Sequence, residues 1–413
     1  VIEFRRQTLK NGLVVLVHED PSTPLVACNL LYRVGSRDED PERTGLAHLF
    51  EHLMFSGTPE VPDFDQPIQE AGGENNAYTN TDVTCFYEVL PAQNLEVALW
   101  LESDRMRNLK VDEQKLRVQQ KVVVEEFKEV CLNQPYGDAW HHLSELAFRV
   151  HPYRWPTIGK EPAHILGVRL EEVRAFYRRF YAPNNAVLVI AGGVDAAEAL
   201  KLAEKWFGNI PPSNLSPRTL PQEPPQTALQ RRIQRAKVPE EALYLAFRTG
   251  SRLDTDFHAT DLLSDVLCNG PSSRLYRRLE KERRLFQSID CYITGSFDPG
   301  LLIIEGQISE GTSLETARSA VWEEIERLKE EPVPARELEK LKNKVESNLV
   351  FSETSVTSKA SSLAFYEALG DAALVNREAE NYRRVEPADL QAVARRIFRP
   401  ENCAELQYRK EEA

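Results

Sequence analysis

Runs of apolar residues with strand character alternate along this chain with stretches of helical spacing. Leu13 to Val17 and Pro24 to Arg33 are rich in Val and Leu and suit adjacent strands, and Val1 to Leu13 reads as the start of another. Gly45 to Phe55 and Asp112 to Val130 have helical spacing, and Gln66 to Ala71 ends a short helix before Gly72-Gly73. Ala77 to Leu90, rich in Thr, Tyr, Phe and Val, reads as one strand. The expectation is an α+β fold, a sheet with helices packed on it.

Pro211 to Pro225 interrupts the pattern with six prolines and no apolar periodicity, and reads as an extended linker. The chain repeats across it. Val168 to Asn185 lies against Val385 to Asn402 without a gap, each an Arg-rich helix followed by a Pro-containing turn. His48 to Gly57 lies against Asp261 to Gly270 at nearly the same offset, which makes duplication the better reading. Two homologous domains are expected, at residues 1–210 and 228–413, joined by a linker at 211–227.

Composition adds exclusions. With 413 residues the chain is long enough for two cores, and no segment is apolar enough to span a bilayer. No charged-then-apolar signal sequence opens it, although a processed leader could precede Val1; the compartment is left open, the bacterial cytoplasm or periplasm being the expectation for a soluble protein. Its net charge of −13 disfavours nucleic acid and anionic lipid as partners. The six cysteines form no CxxC pair and are expected as buried thiols.

The chemistry is concentrated in His48-Leu49-Phe50-Glu51-His52. Four residues apart on a helix, the two imidazoles share one face and can converge on a metal ion. Zinc suits two imidazoles plus a carboxylate and keeps a position for water, whose proton Glu51 can take. Leu46, Leu49, Phe50, Leu53 and Met54 make this helix mostly apolar, so its polar groups need partners inside the protein. Glu125, Glu126 and Glu129 are the candidates for a third ligand; adjacent helical positions diverge by about 100 degrees, so Glu125 and Glu126 cannot both serve. The other six histidines lack ligand spacing and are read as structural or surface groups.

With Met54 to Gly57, Ala71 to Thr79 (AGGENNAYT), Val122 to Glu126 (VVVEE) and Pro183-Asn184-Asn185 in order, the chain resembles the pitrilysin/insulinase family of inverzincin zinc metallopeptidases. The likeness extends over essentially the whole chain, and is to bacterial and mitochondrial-processing-peptidase-like members. It implies a clamshell of two domains, each with a mainly antiparallel sheet. It also implies zinc on His48, His52 and Glu126, with Glu51 as general base. Gln119 stands where the family often has a second Glu, and so brings no charge to the surroundings of the metal. The strand entered through Gly72-Gly73 would hold an extended peptide, with Asn76, Ala77 and Tyr78 nearest to it; a plain turn into an interior strand is the alternative.

The second half carries Asp261, Ser264 and Asp265 against His48, Glu51 and His52, a poor zinc site. Relatives that work alone supply an Arg and a Tyr from this half to hold the substrate carbonyl. The ungapped positions here are Glu280 and Gln287; a shift to Arg283 or Arg284 restores the Arg but not the Tyr. The expectation is therefore one subunit of a zinc endopeptidase acting on peptides or small unfolded polypeptides. A homologous chain in a heterodimer would supply the missing pair, a homodimer being the other arrangement. The competing reading is a non-catalytic core subunit of a larger complex.

Overall fold

The structure is a computed structural model and describes residues 1–216 and 218–411; Pro217 of the linker and the final Glu412 and Ala413 lie outside them. The chain forms two compact units. The first comprises residues 1–127, 155–220 and 349–377, and the second comprises 128–154, 221–348 and 378–413.

The first unit is built on a sheet of β1 (Arg5–Thr8), β2 (Val14–Glu19), β3 (Leu25–Tyr32), β4 (Glu74–Thr79), β5 (Thr84–Pro91) and β6 (Ala186–Gly192), in the order β1-β2-β6-β3-β5-β4. The second carries β7 (Gln230–Ala236), β8 (Ala242–Arg248), β9 (Phe286–Ile293), β10 (Leu301–Ile308) and β11 (Cys403–Lys410), in the order β7-β11-β8-β10-β9. Without β1 the two orders are the same. Each sheet has one parallel pair, β2 with β6 and β11 with β7, among antiparallel neighbours. The duplication read from two short sequence matches thus extends to the whole strand order, and each sheet is mixed but mainly antiparallel.

Among the helices packed on these sheets and at the candidate site are α1 (Leu46–Met54), α2 (Glu113–Phe127), α3 (Ala139–Ala147), α4 (Phe257–Cys268) and α5 (Val356–Leu369). The compact units are not the linear stretches 1–210 and 228–413. Helix α5, late in the sequence, packs on β3 and β6 of the first sheet, whereas α3, early in the sequence, packs on β7, β8 and β11 of the second. The apolar faces of these helices follow the nearest unfilled sheet face, not chain order. The Pro-rich stretch is anchored as well as extended. Ser213 is tied to Asn184 in the first unit, and in the second the Glu223 carboxylate accepts the N–H groups of Arg149, Val150 and His151.

The single strand expected over Ala77 to Leu90 is a hairpin. Asn80 Oδ1 accepts the N–H groups of Asp82 and Val83 at 2.8 and 2.9 Å, which turns the chain between β4 and β5. All six cysteines are buried thiols. Among the described residues no helix is long and apolar enough to cross a membrane.

Helix α1 is held at both ends by buried side chains with ionisable groups. At its start, Gly45 adopts φ 87°, and a Cβ there would lie 2.8 Å from the Ile158 carbonyl oxygen. The N–H groups of Gly45 and Ala47 donate to the two carboxylate oxygens of buried Glu39 at 2.9 and 2.8 Å, and the Trp155 indole N–H adds a third bond at 3.1 Å. Burial pushes this carboxyl up to about 8, against three donors that favour its ionised form. At the other end, the Arg105 guanidinium lies 5.4 Å from the centroid of Phe55, the residue that ends α1, and 4.2 and 4.1 Å from those of Phe64 and Phe86. Arg105 pairs with Glu102, with Glu88 3.6 Å away, all three almost fully buried. Burial, and after it the neighbouring Glu102, hold Glu88 well above the usual carboxylate range.

Glu39→Ala would strand the buried N–H groups of Gly45 and Ala47, while the Trp155 indole keeps its bond to the Ser36 carbonyl oxygen. It is expected to destabilise the first unit by about 3 kcal/mol, measured by denaturant unfolding.

Candidate metal centre

The sequence places two imidazoles on one face of α1, and the fold brings a carboxylate to them. His48 Nε2 and His52 Nε2 are 3.3 Å apart. From α2, Glu126 Oε1 lies 3.6 Å from His48 Nε2 and its Oε2 3.4 Å from His52 Nε2. These three residues form the one group among the described residues whose potential metal-ligating atoms lie within 4.8 Å of one another. Of the three glutamates considered on or after α2, Glu126 is the one that reaches the histidines. Glu125 is exposed, and Glu129 lies beyond the end of α2, in a single π turn from Lys128 to Leu132. Gln119 sits two turns before Glu126, half-buried.

The local electrostatics follow from burial and mutual contact. Burial lowers the His48 pKa, partly offset by Glu126. The hydrogen bond to His52 lowers that of Glu126, against partial burial. Burial raises the Glu51 carboxyl, while a hydrogen bond from the Thr79 hydroxyl, at 2.5 Å, acts the other way. The Nε2 atoms of both imidazoles and the Glu126 carboxylate converge on one spot, where a cation can be shared among all three. Two nitrogens and one oxygen, each only partly exposed, form a donor set that zinc accepts.

The strand expected to hold substrate is at the border of its sheet. β4 pairs with β5 alone and ends the strand order, so its outer edge has no strand neighbour, and the alternative of an interior strand falls away. Asn76 and Tyr78 are exposed on it and Ala77 is half-buried. Through Thr79, its last residue, the strand touches Glu51.

Residues 14–161 match the profile of the insulinase family, peptidase family M16, and residues 167–345 that of the peptidase M16 inactive domain. The chain belongs to the M16 family. It is 27% identical to the zinc protease PqqE of Helicobacter pylori over 400 residues, covering 95% of this chain and 89% of that protein. It is 25% identical to the beta subunit of the mitochondrial-processing peptidase of Lentinula edodes over 367 residues, covering 86% of this chain and 78% of that one. The crystal structure of a protease from Helicobacter pylori superposes with a TM-score of 0.94 at 25% identity, covering 99% of this chain and 100% of that one.

Within this M16 chain the counterpart of α1 is α4, which is wired differently. Asp261 accepts the Tyr382 hydroxyl at 2.6 Å, and Asp265 accepts the Asn269 side-chain amide at 2.6 Å. His258 and Arg252 both face Glu378, at 3.3 and 2.7 Å. These acids are matched by protein donors and gather no metal-ligating group among the described residues. Glu280 lies in the irregular turn Tyr276–Glu282, and Gln287 is exposed on β9.

Two residues that shape the centre escape a sequence reading. Glu39 lies six positions before Gly45, too far for a local capping box, so no spacing rule finds it. Thr79 ends a half-buried strand among other polar residues, and only the fold shows that its hydroxyl meets Glu51.

Glu126→Ala is expected to weaken zinc binding by more than the roughly 10- to 100-fold that loss of an outer partner costs, as read by chelator competition. Glu125→Ala is expected to leave zinc affinity unchanged.

Proposed function

We propose that this chain is the metal-bearing subunit of a zinc endopeptidase that hydrolyses peptides or small unfolded polypeptides. The observation that carries the reading is the convergence of His48, His52 and Glu126, with Glu51 on the same helix as the histidines. In this reading those three side chains hold zinc. Bound zinc supplies the Lewis acidity that makes water nucleophilic near neutral pH and polarises the scissile carbonyl. Glu51 accepts the proton of the attacking water and returns it to the leaving amine. An extended peptide adds to the free edge of β4 through main-chain hydrogen bonds at Asn76, Ala77 and Tyr78, which gives binding tolerant of sequence. Gln119 stays outside the chemistry and leaves the metal surroundings less negative than a Glu would. The names of the zinc-protease relatives support zinc as the metal.

The reading includes a homologous partner. Neither Glu280 nor Gln287 does the work of an Arg and a Tyr on a developing oxyanion, since a carboxylate repels it and an amide is a weak donor. A second M16 chain supplies that pair.

Glu51→Gln is expected to keep zinc, by metal analysis, and to lose about 10²- to 10⁴-fold in kcat on a peptide library. Full activity in that variant would sink the reading, and a zinc-loaded wild type silent with every homologous partner would favour a core subunit without catalysis. Adding the homologous chain is expected to raise the rate of chelator-sensitive cleavage; equal rates with and without it would rule out the partner.

A further inference from the structure

Thr79 ends the edge strand β4, and its hydroxyl oxygen lies 2.5 Å from Glu51 Oε2. A second oxygen, Thr84 Oγ1 on β5, is 3.3 Å away. A hydroxyl has one proton to give, so its direction can be worked out. The proton of buried Thr84 is committed to the Val34 carbonyl oxygen at 2.9 Å and is not available to Thr79. Thr79 therefore donates, and the nearer acceptor, the Glu51 carboxyl oxygen, takes the bond. Glu51 Oε2 is held by the strand, which leaves Oε1 as the oxygen that Thr79 does not engage.

We propose that Thr79 is a positioning residue for the general base, fixing which oxygen of Glu51 works and tying its aim to the strand that takes the peptide. The proposal rests on the peptidase reading above. Thr79 and Thr84 face each other in the β4–β5 register, so the backbone that places the hydroxyl is part of the ladder a bound peptide would extend. A peptide that orders β4 thereby orders Glu51, with no contact of its own to the carboxylate.

The test uses the full chain, zinc-loaded and combined with its homologous partner, in wild-type, Thr79→Val and Thr79→Ser forms. Valine keeps the shape and removes the donor; serine keeps the donor. Thr79→Val is expected to lose about 10- to 100-fold in kcat with KM and zinc content unchanged, and Thr79→Ser to recover most of it. Wild-type kcat in the valine variant, an equal loss in the serine variant, or a change confined to KM overturns the proposal. Isotope-edited infrared spectra on protein labelled with ¹³C-Glu, the Glu51 band assigned by Glu51→Gln, give a readout independent of turnover. The carboxylate stretch is expected to shift in Thr79→Val and not in Thr79→Ser. If the wild type does not cleave, the peptidase reading fails by itself, and an unshifted band in Thr79→Val then overturns the Thr79 assignment too.

Discussion

Two buried side chains, the Glu39 carboxyl and the Arg105 guanidinium, clamp the helix that carries His48, Glu51 and His52. Glu39 accepts the first N–H groups of α1, and Arg105 packs against Phe55 where the helix stops. A buried polar or charged group costs free energy unless its partners are in place, so each of the two stays satisfied only while α1 keeps its position. The three short distances among His48, His52 and Glu126 depend on that restraint, because a helix free to slide or roll would spread them. The sheet joins in the same restraint: Glu88, beside Arg105, projects from β5, which also pairs with the edge strand β4.

Side-chain alternation along β3 shows how one strand serves both faces of the first sheet. Asn29 donates to Ser361 of α5, while the adjacent Cys28 meets Glu88 and lies within the field of Glu102 and Arg105. One face is completed by a helix from late in the sequence and the other by the helix Leu95–Asn108, which carries Glu102 and Arg105. A truncation after the linker would thus remove a wall of the first unit's core as well as the second sheet.

The duplication shows how little the fold itself dictates about chemistry. The two sheets share a strand order, and α1 and α4 are counterparts, yet one gathers three ligating groups and the other satisfies its aspartates with Tyr382 and Asn269. The difference lies in a few side chains. Imidazole nitrogens left without protein donors, beside a carboxylate, call for a cation; carboxylates already bonded to a hydroxyl and an amide do not.

Residue order alone carries the features that are local or repeated: the helical spacing of His48 and His52, the doubling of the chain, the Pro-rich break and the M16 resemblance. These are legible because a helix fixes the relation between residues four apart and a repeat copies its own pattern. The hairpin at Asn80 is not legible in that way, because both of its strands have the same β-forming composition and the turn is made by one side chain. Residue geometry leaves Glu125, Glu126 and Glu129 open, and the fold brings Glu126 to the histidines. Only long-range packing could exchange α3 and α5 between the units, put β4 at a sheet edge, cap α1 with Glu39 and bring Thr79 to Glu51. Each of those contacts joins residues whose separation in sequence carries no periodic signal. They exist because buried donors, acceptors and apolar faces must find partners in space.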